Sequence, residues 1–319
     1  MKLASYKDGS RDGQLVVVSR DLTMAAYASH IVNRLQQVLD DWNYLSPQLQ
    51  DVFDALNAGR ARHAFAFDPS QCMAPLPRAY QRVSSNAFRQ DEPVELELRQ
   101  RHSDELHGPC DPIAHFSEQS GLDFSAEIAV VTGDIPMGCP SDRAIDGVRL
   151  LMLCNDMALR NVAPGGSAGP ATFSPVAVTP DELGEAWAKG RVQLPLQTTW
   201  NGRKVGMCDA GVNMGSHFGQ LIAALSQTRR VRAGSIICSG TVRNQAVEKK
   251  GQREWPKGFN SIADKRAMET HQNGAAMSNY MKAGDTIRME MKGLDGVSVF
   301  GAIEQEVKTT ASARSSSAE

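Results

Sequence analysis

Four side chains able to do chemistry crowd one short stretch, His102, Asp104, Glu105 and His107, and His115 follows nearby. Histidine changes charge near neutral pH, so beside carboxylates it is the natural proton shuttle. The same composition suits a solvated charged loop, and both readings stand at this point. His217 follows AGVNMGS and precedes an amphipathic run, which fits a helix cap or an exposed position. The run from Glu248 to Lys257 sets Trp255 among mixed charges, as a lid, a partner contact or an ordinary surface loop would. Cysteines 72, 110, 139, 154, 208 and 238 are scattered without a CxxC pair. Neither a structural zinc site nor a disulfide framework is expected, and they read as reduced thiols used mostly in packing. The glycine fingerprint of dinucleotide folds, the phosphate-binding loop and His-Glu-x-x-His are all missing.

The elements that would position these residues follow from composition and pattern. The chain has 319 residues, long enough for one large domain with a small companion. With 34 basic and 36 acidic residues the net charge is −2, which excludes a broad basic face for nucleic acid. Aromatics at 6% disfavour a base-stacking platform. No apolar run approaches the roughly 20 residues of a membrane span, and the first residues show no signal-peptide apolar region, so a cytoplasmic protein is expected. LVVVS reads as a strand, and the spacing from Thr23 to Leu56 predicts a helix with Asp21 as its cap and a break at Gly59. DPSQCMAPLPRAY then reads as an extended connector, placing a domain boundary near Pro75: residues 1–75 a small N-terminal domain, 76–308 the main body. Beyond it FSAEIAVVTG, RKVGMC, GSIICSGTV, DTIRMEM and SVFGAIEQEV are strand-like, interrupted by helical PDELGEAWAKG and HFGQLIAALSQTRRV. That pattern predicts an α+β protein, mostly β and mostly antiparallel. The last stretch, 309–319, is too polar to pack and reads as a disordered tail.

From Leu106 to Val307 the order of sequence words resembles the fumarylacetoacetate hydrolase superfamily, in particular its longer bacterial members. The words are GPCDPI, DFSAEIAVVTGDIPMG, LLMLCNDMALRN, FSPVAVTPDELGEAW, AGVNM, GSIICSGTVRN, SIADKRAMET, GDTIRMEM and FGAIEQEV. The resemblance implies a mixed β-roll or barrel-like body with a small N-terminal domain, usually a homodimer. It also implies hydrolysis of a carbon–carbon bond beside a carbonyl in diketo acids, with Mg²⁺ or Ca²⁺ polarising the substrate oxygens. The family's cation is held by a Glu-x-Glu pair and an aspartate about thirty residues later. Residues i and i+2 of a strand share one face, so that spacing builds one site.

Three departures stand out against that pattern. The Glu-x-Glu window here is Ser125-Ala126-Glu127, so Glu127 and Asp156 are weak metal candidates and Ser125 falls to substrate binding. Loss of one ligand charge predicts weak or absent metal, and two facing carboxylates without a cation predict one raised pKa. The family's general-base histidine is replaced at Asn86-Ala87, although its glutamate partner corresponds to Glu269. The family's lysine is absent from the loop Pro164–Pro170, which reads as trimmed and glycine-rich. The resemblance places Ser239, Gly240 and Thr241 in the turn that binds a substrate carboxylate or oxyanion, Arg160 near it, and the His102–His107 stretch where relatives fold a lid. Tyr80 is a candidate pocket residue or plain packing. With the standard groups replaced, the expectation is an enzyme of altered chemistry on a β-dicarbonyl or aromatic-derived carboxylic acid. Proton transfer, cyclisation or decarboxylation would run through Glu269, His107 and His102 without a tightly bound metal. The alternatives are a metal-dependent hydrolase of acylpyruvate-type diketo acids and a non-catalytic binding or assembly subunit.

Overall fold

A computed structural model describes residues 1–88, 95–115, 117–162 and 167–309, the side chains of residues 115, 167 and 168 excepted. The chain opens with strands β1 (Lys2–Tyr6), β2 (Gln14–Val18) and β3 (Met24–Tyr27), helices α1 (Leu35–Asp40) and α2 (Trp42–Asn57), and the short β4 (Phe65–Ala66). The body continues with β5 (Arg82–Ser85), β6 (Leu98–Arg101), β7 (Ile113–His115), β8 (Leu122–Asp123) and β9 (Ala126–Thr132). Helix α3 (Ser141–Ala144) precedes β10 (Val148–Leu159), β11 (Ser167–Phe173) and β12 (Ala177–Val178). Then come β13 (Trp187–Ala188), β14 (Arg191–Val192), β15 (Pro195–Trp200), β16 (Arg203–Asp209), α4 (Phe218–Ser226) and β17 (Ile236–Cys238). The hairpin β18 (Val247–Lys249) and β19 (Gln252–Glu254), helix α5 (Ile262–Asn273), β20 (Thr286–Met291) and β21 (Ile303–Thr309) complete the order.

Two sheets carry the molecule. A 12-stranded sheet runs β4-β3-β2-β1-β12-β10-β9-β17-β5-β6, with β8 and β11 also on β10; a 5-stranded sheet runs β16-β15-β20-β21-β7. The described pairs are antiparallel except β17 with β5 and β21 with β7. The N-terminal strands are hydrogen-bonded into the body through β1 and β12, where Leu3 faces Ala177. Alternation along the strands buries both faces of the large sheet. Val16, Val18, Ile128, Val130 and Leu153 fill one cluster. Leu15, Val17, Ala129, Val131, Met152 and Cys154 fill the other, covered by Leu35, Val38, Leu49 and Phe53 of α1 and α2.

The helix expected from Thr23 starts later. Residues 24–27 form β3, whose Ala26 pairs with Val17 of β2. Asp21 caps the turn between them, its Oδ1 accepting from the Ser19 and Thr23 hydroxyls and the Thr23 N–H. Small alanines at 25 and 26 satisfy a helical pattern and a buried strand equally, and pairing with β2 decides for the strand. PDELGEAWAKG is a 3₁₀ segment over Pro180–Ala186, broken at Gly184, followed by a tight hairpin. SIADKRAMET opens helix α5, which Ser261 caps by accepting from the Asp264 N–H. Ser167–Pro170, expected as loop, extend β11 against β10, while residues 164–166 lie outside the described residues. Gly165-Gly166-Ser167-Ala168-Gly169 has Gly-x-Ser-x-Gly spacing, but Ser167 begins a strand that runs to Phe173. It is not at the strand-to-helix turn that exposes a nucleophile. Of the expected tail, Thr309 ends β21 and 310–319 lie outside the described residues. All six cysteines are free thiols.

Candidate active site

β9 and β10 are adjacent and antiparallel, with Glu127 directly opposite Cys154 and Ala126 opposite Asn155. The Asp156 N–H donates to the Ser125 carbonyl at 3.0 Å. This register sets Ser125, Glu127 and Asp156 on one face, as i, i+2 spacing on each strand requires. All three are buried at the base of a cavity of about 270 Å³ that Gly240, Thr241, Arg101, Arg160 and Arg243 also line.

Glu127 is held by protein donors on both oxygens. The Ser125 hydroxyl donates to Oε1 at 2.8 Å and the Gly240 N–H to Oε2 at 3.1 Å. Ser125 Oγ also lies 2.7 Å from the Thr241 hydroxyl, so carboxyl, serine and threonine form a continuous chain to the cavity. Gly240 makes this possible. Its φ is 75°, and a Cβ there would stand 2.0 Å from the Ser85 carbonyl oxygen. Burial first, and then the Asp156 carboxylate, push the Glu127 carboxyl up to about 8, against the opposing pull of Ser125 and the nearby arginines. The raised pKa expected of one of the two facing carboxylates is therefore that of Glu127.

Asp156 faces guanidinium groups. Arg82 Nη1 donates to Oδ1 at 2.6 Å, and Arg101 Nε stands 3.5 Å from Oδ2. Arg82 and Arg101 are direct partners across β5 and β6, which aims both at the same carboxylate. Arg82 is fully buried, and its Nε donates to the His102 carbonyl at 2.8 Å. Burial is the strongest single influence and opposes its charge, yet the Asp156 carboxylate and the other groups around it together hold its pKa above the ordinary arginine value. The other lining arginines have carboxylates of their own: Arg99 with Glu97, Arg160 with Asp123 and Arg243 with Asp264. Among the described residues the cavity therefore has one cationic charge in excess, at the Arg82–Asp156–Arg101 group.

The other expected site residues fall as follows. Ser239 is buried, accepting from the Ile128 N–H and donating to the Gly240 carbonyl, so it braces the turn beneath the site. Arg160 lines the cavity, yet its guanidinium is bonded to Asp123 at 2.9 Å. Glu269 does not line it. Its carboxylate on α5 accepts from the Met277 and Ser278 N–H groups at 2.7 Å and from the Ser278 hydroxyl, and the Ser278 bonds hold it below the usual carboxylate range despite burial. His102 and His107 line a neighbouring cavity that adjoins Arg82. The side chain of His115 lies outside the described residues. Tyr80 is exposed at the rim of a third cavity of about 1050 Å³. His217 is the N-cap residue of α4, and the Gln220 side chain accepts from its N–H. Trp255 is half-buried, with its ring edge-on to His271. Sequence reasoning missed Arg82, Arg101 and Arg243. A charged residue in a strand shows its target only when the register is known, and nothing in RVSS or LRQR points to Asp156.

A divalent cation does not fit this donor set. Hard cations take six or more oxygens, mostly anionic. Here both Glu127 oxygens accept from protein donors, Ser125 stands where a second glutamate would be, and Asp156 is paired with a buried arginine. Among the described residues no three His, Cys, Asp or Glu side chains gather as a metal group would.

The strand-rich roll thus sets a buried acid beside clustered arginines. The family model described as "Fumarylacetoacetate (FAA) hydrolase C-terminal" matches residues 72–308, and "Fumarylacetoacetase N-terminal domain 2" matches residues 1–78. The chain belongs to the fumarylacetoacetate hydrolase family. No curated protein matches it. Among solved structures it is similar to a probable 2-hydroxyhepta-2,4-diene-1,7-dioate isomerase from Mycobacterium abscessus, at 19% identity, TM-score 0.69, with 97% of this chain and 99% of that one covered. It is similar to maleylpyruvate hydrolase from Sphingobium sp. SYK-6 in complex with manganese(II) ion and pyruvate, at 16% identity, TM-score 0.68 and 97% and 99% coverage. The fumarylacetoacetate hydrolase of psychrophilic Exiguobacterium antarcticum matches at 18% identity, TM-score 0.68, with 97% and 99% covered. Identities this low bear on the fold alone.

Proposed function

We propose that this chain is an enzyme that moves a proton at the carbon beside a carbonyl of a small β-dicarbonyl or aromatic-derived carboxylic acid, as an isomerase or tautomerase does. The observation that carries the reading is the chain Glu127–Ser125–Thr241, a buried carboxyl with its pKa raised to about 8, linked through two hydroxyls to the cavity. A general acid–base works best when its pKa lies near the operating pH. The excess charge at Arg101 takes the substrate carboxylate, which brings the reacting carbon to Thr241. Thr241 passes the proton to or from Ser125, and Ser125 exchanges it with Glu127. The guanidinium groups steady the enolate oxygen that develops. Isomerases among the solved relatives support proton transfer, and hydrolases among them support the alternative of carbon–carbon cleavage. The substrate is a small molecule and the chain works as a homodimer, readings that rest on the family resemblance.

The test is deuterium incorporation at C3 of 2,4-dioxopentanoate in D₂O, followed by NMR with the full chain and chelator present. The expected result is enzyme-dependent exchange that Ser125→Ala or Thr241→Val lowers about a hundredfold while both variants stay folded. Arg101→Gln raises KM more than it lowers kcat. Exchange at the wild-type rate in folded Ser125→Ala and Thr241→Val would contradict the assignment. Turnover by cleavage only, and only with added Mn²⁺, would favour the hydrolase reading.

A further inference from the structure

Gln305 breaks the pattern of its strand. Along β21 Ile303, Gln305 and Val307 are buried while Glu304 and Glu306 are exposed, so alternation reserves position 305 for an apolar side chain. Asn155, beside Asp156 on β10, is buried as well. Burying a side-chain amide is unfavourable unless it is hydrogen-bonded, and these two are bonded head to tail between the two sheets. Asn155 Oδ1 accepts from the Ser125 N–H at 3.1 Å, and Asn155 Nδ2 donates to Gln305 Oε1 at 3.2 Å. Gln305 Nε2 then donates to the Asp111 carbonyl at 2.7 Å. Backbone groups fix the direction at both ends, since an N–H can only donate and a carbonyl can only accept. Asp111 is itself anchored, its carboxylate accepting from the Gly108 N–H at 2.7 Å and pairing with Lys7 at 2.8 Å.

We propose, resting on the proton-transfer reading above, that Asn155 and Gln305 are positioning residues that hold the Ser125 hydroxyl between Glu127 and Thr241. Neither amide lines the cavity, so both act through the Ser125 backbone. That backbone is tied to β10 twice, by its N–H to the Asn155 side chain and by its carbonyl from the Asp156 N–H. The Ser125 hydroxyl has its two partners at 2.8 and 2.7 Å, so a small displacement of the backbone lengthens one contact and interrupts the proton path. A methionine at 305 would suit the apolar row of β21 equally well. What the amide adds is a directed bond that keeps Asn155 Oδ1 aimed at the Ser125 N–H.

Deuterium exchange into 2,4-dioxopentanoate by the full chain, in Gln305→Met and Gln305→Leu, tests it. Both variants are expected to lower kcat about tenfold or more with KM unchanged, because the anion-binding Arg101 is untouched. In a Ser125→Ala background Gln305→Met is expected to lower the rate no further, since its effect runs through that hydroxyl. A second readout needs no turnover. The Glu127 carboxyl infrared band, isolated by subtracting the matching Glu127→Gln spectrum, is expected to shift in folded Gln305→Met. Absence of exchange by the wild type would sink the proton-transfer reading and leave the band to decide the positioning. An exchange rate that falls only in proportion to the folded fraction, an equal further loss in the Ser125→Ala background, or an unmoved band would overturn the proposal.

Discussion

Glu127 concentrates the physical tension of this molecule in one carboxyl group. It is buried 2.8 Å from a hydroxyl and shares its face with Asp156, so its neutral form is favoured well above the pH at which an exposed glutamate ionises. The sign of the consequence is fixed by linkage. Between about 4.5 and about 8 the folded chain holds a proton that the unfolded chain has released, so this group's contribution to stability falls as pH rises through that window. Glu127→Gln keeps the shape and removes the titration. Its carbonyl accepts from the Gly240 N–H and its amide donates to Ser125 Oγ. The melting temperature of the variant minus that of the wild type is therefore expected to increase from pH 5 to pH 8, and a constant difference would refute the assignment. Arg82 is the complementary case. Arg82→Met leaves Asp156 buried without its closest partner, a change expected to cost about 3–5 kcal/mol in urea denaturation. Arg82→Met with Asp156→Leu is expected to recover most of that loss. If the double variant is no more stable than the single one, the pair is not the reason.

At the scale of elements, the turn after β17 and the register of β9 on β10 build the site. Gly240→Ala is expected to destabilise the fold by about 1–3 kcal/mol and to move the N–H away from Glu127, because the new methyl meets the Ser85 carbonyl and φ is positive. Equilibrium unfolding of this variant measures it, and a change under about 0.5 kcal/mol would contradict the geometry. Much of this level was legible in the sequence. The runs now seen as β2, β9, β16, β20 and β21 read as strands from their Val and Ile content and their bounding turns. Ser125, Glu127, Asp156, Gly240 and Thr241 were all marked as site candidates, and the structure gathers them within one cavity. Three things were not legible. β3 was hidden because two alanines fit either periodicity until β2 is beside them. Glu269 stands where the resemblance puts the partner of the family's general-base histidine, but its own partners Met277 and Ser278 follow a helix end that the word does not show. Arg82 and Arg101 were invisible because their shared target is 55 to 74 positions away in the chain and appears only with the sheet register.

Across the whole molecule, the large sheet is continuous from the N-terminal strands through β12 and β10 to the arginines of β5 and β6. Both faces of that sheet are packed, so the N-terminal segment and the body share core rather than touching at a seam. Thermal unfolding is expected as one cooperative transition, with Trp42 in the N-terminal segment and Trp187 and Trp200 in the body reporting the same midpoint. Two separated transitions would show that the segments fold apart. The charge balance of the cavity belongs to this scale too: β5, β6 and β10 bring Arg82, Arg101 and Asp156 together, and among the described residues that group carries one positive charge in excess. The proposed proton transfer requires Glu127 to be a neutral acid at pH 7. Infrared difference spectroscopy of the wild type minus Glu127→Gln, titrated from pH 5 to pH 9, tests it most directly. The expected result is a protonated-carboxyl stretch at neutral pH that disappears as pH rises through about 8. A carboxylate signal across the whole range would contradict it.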